Sequence, residues 1–235
     1  MKLNYKTTLL IFTLTFISTL AFAQAKEIKI EFLGNCGLYM TDGQTNIYTD
    51  FPYKSGAHGY MEFEESELDS IKENSLFIFT HKHADHYSKK NLKRVMKEKG
   101  GQAFGVSNIA ELEALGETIA DFEIKAFKTD HKVFGISFKH YSYLITWHGK
   151  TIYLSGDTTI PATIGRVKNI DMAFIPYWLY ANAKDQGITI DAKETGIYHL
   201  YPAEIEPAER LFKDKDNQFP LTENGNIIRL NLQKD

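Results

Sequence analysis

The sequence predicts an α/β fold in which strands and helices intermix along one chain. Three observations carry this. Short runs such as 27–33 alternate polar and apolar residues, and others such as 75–79 are apolar throughout; both are strand patterns. Helical stretches with start and stop signals lie between them, with 88–99 as the type case. No low-complexity linker or internal repeat divides the chain, and each half reads as a strand meander followed by helix.

In chain order, strand 27–33 is half-buried and ends in the turn-forming Gly34-Asn35-Cys36-Gly37. Strands 38–40 and 45–49 join at Asp42-Gly43, a hairpin signal. A loop follows, holding His58, read as a surface residue, and then a short helix over 64–72. After strand 75–79, Ser88 caps helix 88–99, which Gly100-Gly101 closes. Strand 102–106 and helix 108–115, stopped by Gly116, complete the first half. Strands 122–127, 133–139, 142–147 and 151–154 form a second meander, with His148-Gly149 as its last tight turn. Strand 170–175, helix 190–200 and a final strand 227–232 finish the chain.

Residues 1–23 read as a cleaved secretory signal. Lys2 and Lys6 form the basic start, 9–20 the apolar stretch, and Ala21-Phe22-Ala23 the small-residue cleavage site. This predicts a mature domain of residues 24–235, periplasmic or secreted, without stable membrane insertion after cleavage. Losing Lys2 and Lys6 takes the formal net charge from −3 to −5, so the chain carries no electrostatic footprint for nucleic acid. The single cysteine, Cys36, cannot form an internal disulfide and is read as structural.

The chemistry concentrates in Thr80-His81-Lys82-His83-Ala84-Asp85-His86, which directly follows the strand 75–79. Alternate residues of an extended chain share a face, so His81, His83 and Asp85 start on one side and the chain must turn to bring His86 round. Ser155-Gly156-Asp157-Thr158 is a second signal, again at the end of an apolar strand. Together these resemble the signatures of the metallo-β-lactamase-fold hydrolases, His-x-His-x-Asp-His and Gly-Asp-Thr. The resemblance implies a four-layer αββα sandwich of two mixed β-sheets with outer helices. It implies that His81, His83 and His131 hold a first metal ion and Asp85 and His86 a second, with Asp157 bridging them. His131 is favoured over its competitor His140 because it lies at a strand terminus. Asp50, at the end of strand 45–49, matches a carboxylate that supports the ligands from behind.

One departure stands out. Many members carry a last histidine ligand two residues after the second proline of a closing segment. Here 201–209 resembles that segment, and the position holds Glu209. His199 is the other histidine nearby and is read as a packing or surface residue on helix 190–200.

A divalent ion with an open position lowers the pKa of water from about 15.7 towards about 7 and polarises the bond under attack. The expected activity is therefore metal-dependent hydrolysis of an ester-type bond (lactone, phosphodiester or thioester) in a small-molecule substrate. If the second site is empty, Asp85 has a second, catalytic role open to it, orienting water or relaying its proton. Zinc is the default ion because imidazole dominates, and manganese or iron would suit an oxygen-rich site. The bridging Asp157 points away from true β-lactamases. The alternative is a weakly active or inactive member that binds metal or ligand, motivated by Glu209.

Overall fold

A computed structural model describes residues 25–133 and 135–232. The reading of 1–23 as a secretory signal, and with it export, lies outside the described residues. No helix among those described is long and apolar enough to cross a membrane.

Twelve strands form two six-stranded sheets. The first half of the chain contributes β1 (Glu27–Gly34), β2 (Gly37–Thr41), β3 (Asn46–Thr49), β4 (Leu76–Ile78) and β5 (Gln102–Phe104). β1, β2 and β3 pair antiparallel, whereas β3, β4 and β5 pair parallel. The second half repeats the plan with β6 (Phe122–Val133), β7 (Ile136–Trp147), β8 (Lys150–Leu154), β9 (Ile170–Pro176) and β10 (Ala192–Tyr198). Its first three strands are antiparallel and its last three parallel. β11 (Gln218–Pro220) extends the second sheet beside β10, and β12 (Ile227–Asn231) crosses back to pair with β1 at the edge of the first.

Helices follow the parallel strands, as crossover connections require. They are α1 (Glu67–Ser70), α2 (Lys89–Lys99), α3 (Ile109–Glu113), α4 (Ala162–Gly165), α5 (Tyr177–Asp185) and α6 (Pro202–Phe212). The strict alternation of β1 sends Ile28, Ile30 and Phe32 between the sheets, where they meet Ile145, Trp147, Ile152 and Phe174. On the outer face of the first sheet, Tyr48 and Phe77 pack against Leu92 and Val95 of α2. On the outer face of the second, Ile175 and Ile197 pack against Leu179 of α5 and Phe212 of α6. The architecture is the expected αββα sandwich.

Three elements differ from expectation. The segment 190–200 is mostly the strand β10, second from the sheet edge, and not a helix. Thr195 and Gly196 disfavour a helix interior, and residues 195–198 are all buried between β9 and β11. The helix comes afterwards: Pro202 occupies its first position, where its missing N–H costs nothing. The stretches 122–127, 133–139 and 142–147 are not three strands but one 12-residue hairpin arm followed by another. His131 therefore lies inside β6 rather than at a strand terminus. Finally, 177–185, which lies between the expected strand 170–175 and helix 190–200, forms α5.

Candidate metal centre

The carboxyl ends of the parallel strands converge on one spot. β4 delivers His81, His83 and His86 through the turn that follows it, β8 delivers Asp157, and β10 delivers His199. β6 projects past the sheet edge and adds His131.

The first cluster is His81, His83 and His131, whose ligand atoms lie within 4.8 Å of one another. The hydrogen-bond network assigns their tautomers. Thr80 Oγ1 donates to Asp50 Oδ2 at 2.8 Å, so it accepts from His81 Nδ1 at 3.1 Å. That leaves a bare lone pair on His81 Nε2, which is buried and has no hydrogen-bond partner. His131 Nδ1 donates to the backbone carbonyl of Asp157 at 2.7 Å, leaving Nε2 bare as well. His131 Nε2 then faces His83 Nδ1 at 3.1 Å. Two imidazole nitrogens at that distance need a proton or a cation between them.

The second cluster is Cys36, His86, Asp157 and His199. His86 Nδ1 donates to Asp50 Oδ2 at 2.9 Å, and its buried Nε2 points at Asp157 Oδ2, 3.2 Å away. His199 Nε2 lies 3.4 Å from Asp157 Oδ2 and 3.2 Å from Asp85 Oδ2. Both ring nitrogens of His199 are buried without a hydrogen bond. Asp157 Oδ2 also lies 3.9 Å from His81 Nε2, so this carboxylate faces both clusters. Burial alone would push Asp157 up, but His86 and His199 hold it well below the usual carboxylate range. Burial likewise pushes His199 down, and the Asp157 and Asp85 carboxylates overcome it, raising the imidazole to about 9. His81, which burial and the neighbouring His86 both disfavour as a cation, is held well below 6.5. Burial also pushes the Cys36 thiol up.

The loop carrying Asp157 is fixed from several sides. Its backbone N–H donates to His140 Nε2 at 2.8 Å, and Gly156 N–H donates to the Tyr198 hydroxyl at 3.1 Å. Gly156 sits at φ +54°, and a Cβ there would come within 2.5 Å of His140 Nε2 and 2.8 Å of Thr80 Cβ. Only glycine fits. His140 Nε2 is thus an acceptor, and its Nδ1 donates to Thr129 Oγ1 at 2.6 Å. Both nitrogens are spent, so His140 holds the Asp157 loop and offers nothing to an ion. Asp50 and His199 have φ of +48° and +52°, a left-handed conformation that non-glycine residues adopt at a cost. Strain of this kind concentrates at functional sites.

Each site residue read from the sequence now has a place. His81, His83, His86, His131 and Asp157 meet in the two clusters. Asp85 stands beside them through His199, and Asp50 supports both His86 and, through Thr80, His81. His199 is the correction. It was placed on a helix, but it ends a buried strand and aims into the second cluster. Glu209 is exposed on α6 and belongs to neither cluster. His58 is exposed, with its ring edge-on to Tyr201 at 4.3 Å. A strand-end reading of Tyr198-His199 would have found the missing histidine, by the same logic that found Asp157.

The donor set fits a divalent metal ion: imidazoles with buried nitrogens turned inward, and carboxylates between them. Metal uptake at the second cluster would require a proton from His86, which Asp157 holds well above 6.5 against the cost of burial, and another from His199. Its folded value of about 9 exceeds the ordinary 6.5, so below about pH 9 uptake releases this proton. Metal affinity should rise with pH up to about 9, by up to about tenfold per unit for each proton released. The metal-free protein should behave oppositely. The stability His199 gives it is complete below 6.5 and disappears as pH rises through about 9. Chelator competition and thermal melts with and without metal, across this range, check both signs.

A cavity of about 1160 Å³ lies elsewhere, lined by Asp42, Phe122 and His148 among others at the opposite ends of the strands. His148 Nε2 meets Asp42 Oδ2 at 2.9 Å there, linking a turn of one sheet to a turn of the other. His148→Ala should cost about 1 kcal/mol in a denaturation curve and leave metal content and activity unchanged.

Fold and site together define a metal-binding αββα sandwich protein. The chain belongs to the metallo-β-lactamase superfamily: a family profile described as "Beta-lactamase superfamily domain" matches residues 29–195. Solved structures agree on the fold. Igni18, a metallo hydrolase from Ignicoccus hospitalis, is similar with a TM-score of 0.61 and 16% identity, over 87% of this chain and 98% of its own. A protein of Parabacteroides distasonis, described as a metal-dependent hydrolase, has a TM-score of 0.57 and 21% identity, over 83% and 92%. The diiron β-hydroxylase CmlA of Streptomyces venezuelae has a TM-score of 0.51 and 13% identity, over 88% of this chain and 54% of its own. No curated protein matches the sequence.

Proposed function

We propose that the protein is an exported metal-dependent hydrolase that cleaves an ester-type bond in a small, largely apolar molecule. The observation that carries this is the pair of clusters sharing Asp157, each with bare imidazole nitrogens turned inward. His81, His83 and His131 would hold one ion, and Asp85, His86 and His199 a second, with Asp157 between. A divalent ion there would activate water and polarise the ester. Zinc is the ion proposed, since imidazole donors prevail; manganese and iron are the alternatives.

The remaining work falls to the chain itself. Asp85 retains some exposure, and burial would raise its pKa, but the ion pair with His199 keeps its carboxyl below the ordinary range. It is therefore ionised at neutral pH and, where the second site holds no ion, is the group open to accept a proton from an attacking water. Asp50 and the Asp157 carbonyl keep the imidazoles in the tautomer that aims Nε2 inward.

Aromatic rings line the approach. Phe138 sits edge-on to His83 at 4.4 Å, and Trp178 edge-on to His199 at 4.9 Å, with Tyr201 stacked on Trp178. Ile136, beside the β6–β7 turn, is 63% exposed. Lys54 and Lys184 are exposed and solvated. This supports an apolar group beside the scissile bond over a multiply phosphorylated one. Glu209 was the reason to consider an inactive member, and His199 supplies the imidazole it lacked.

The test is hydrolysis by metal-reconstituted protein of a matched panel of lactone, thioester and phosphodiester, each with short and long apolar groups. Turnover that improves with the apolar group supports the reading. No turnover on any member of the panel by fully loaded protein would sink it.

A further inference from the structure

Cys36 lies in the turn between β1 and β2 and is 1% exposed. Its Sγ is 3.9 Å from Asp157 Oδ1, and it falls within 4.8 Å of the ligand atoms of His86, Asp157 and His199. The turn is held rigidly. Asn35 O accepts the backbone N–H of His199 at 2.9 Å, which ties the cysteine loop to a residue of the same cluster. Asn35 Oδ1 accepts from Ala57 N at 3.1 Å, fixing the loop from the other side. Two further groups aim into this space. His86 Nε2 and His199 Nε2 belong to residues 0% and 2% exposed, and neither has a hydrogen-bond partner. Two imidazoles, a carboxylate and a sulfur make up four donors of three kinds around one point.

From this geometry, and resting on the metal-centre reading above, we infer that Cys36 Sγ, in the place given above to Asp85, is a ligand of the second metal ion. Donor atoms around a tetrahedral zinc ion sit roughly 3.3–3.8 Å apart, so the cluster needs to contract by only about 1 Å at its widest. Binding exchanges the S–H bond for a sulfur–metal bond, and the proton leaves to solvent; nothing is oxidised or reduced. The consequence is selectivity within the centre. The first cluster offers three imidazoles beside the shared carboxylate, whereas the second adds a soft thiolate that favours zinc over manganese.

Cobalt(II) loading of the full chain tests this, because a sulfur ligand adds a near-ultraviolet charge-transfer band to the visible d–d bands. Cys36 is the sole cysteine, so the band has one source. The expected result is the band in the unaltered protein and its loss in both Cys36→Ser and Cys36→Ala. Bound cobalt per chain should fall from two towards one after dialysis. The unaltered protein decides the matter even if a variant misfolds. Two bound cobalt ions with d–d bands but no charge-transfer band would overturn the cysteine assignment and leave the metal centre standing. A band that survives in either variant overturns it as well. Failure to bind cobalt at all overturns the metal-centre reading and the inference with it.

Discussion

Asp157→Ala is expected to remove hydrolytic activity and to weaken metal binding at both clusters. Its carboxylate is the one group that faces His81, His86 and His199 together. Changing a mere supporting partner of a metal ligand costs about 10–100-fold in affinity, so losing a shared ligand should exceed about 100-fold. The metal-free variant should nevertheless stay folded. The Asp157 backbone, which carries the hydrogen bonds to His131 and His140, survives the change. His199 should meanwhile fall from about 9 towards its ordinary value, since Asp157 is the largest influence raising it. Metal analysis after dialysis and an NMR titration of the histidines measure the two effects. Unchanged metal content would remove Asp157 from the centre.

His199→Ala should separate the clusters. The first keeps His81, His83 and His131, while the second loses an imidazole that no neighbour replaces. Bound metal should fall from two ions to one, with activity reduced by about 100-fold or more. Glu209→Ala, by contrast, should change neither. If Glu209→Ala abolished metal binding and His199→Ala did not, the placement of the closing histidine would be wrong.

Most of the centre was legible because its ligands sit at strand ends marked by apolar runs. His81, His83 and His86 follow β4, and Asp157 follows β8. The same rule pointed to His199, but the strand before it was hidden. A strand inside a parallel sheet is covered on both faces and loses alternation, and 195–198 are indeed all buried. Without a period of two, a short apolar run cannot be told from a helix. Glu209 was placed by its distance from a proline, and distance along the chain does not fix which way a helical residue faces; on α6 it faces solvent. The long hairpin of β6 and β7 was broken up in the reading at 128–132 and 140–141, where polar residues interrupt the apolar pattern. They are polar because Thr129, His131 and His140 face the metal centre rather than the core.

The repeated plan of the two halves has one more consequence. His81 and His83 come from the first half and His131 from the second; Cys36 and His86 come from the first, Asp157 and His199 from the second. Each ion would bridge the two sheets, so neither half alone retains a full coordination sphere. Pulling the sheets apart would then discharge the ions, and free metal in solution would resist that parting by mass action. The inorganic part of the molecule would act as a rivet as well as a reagent.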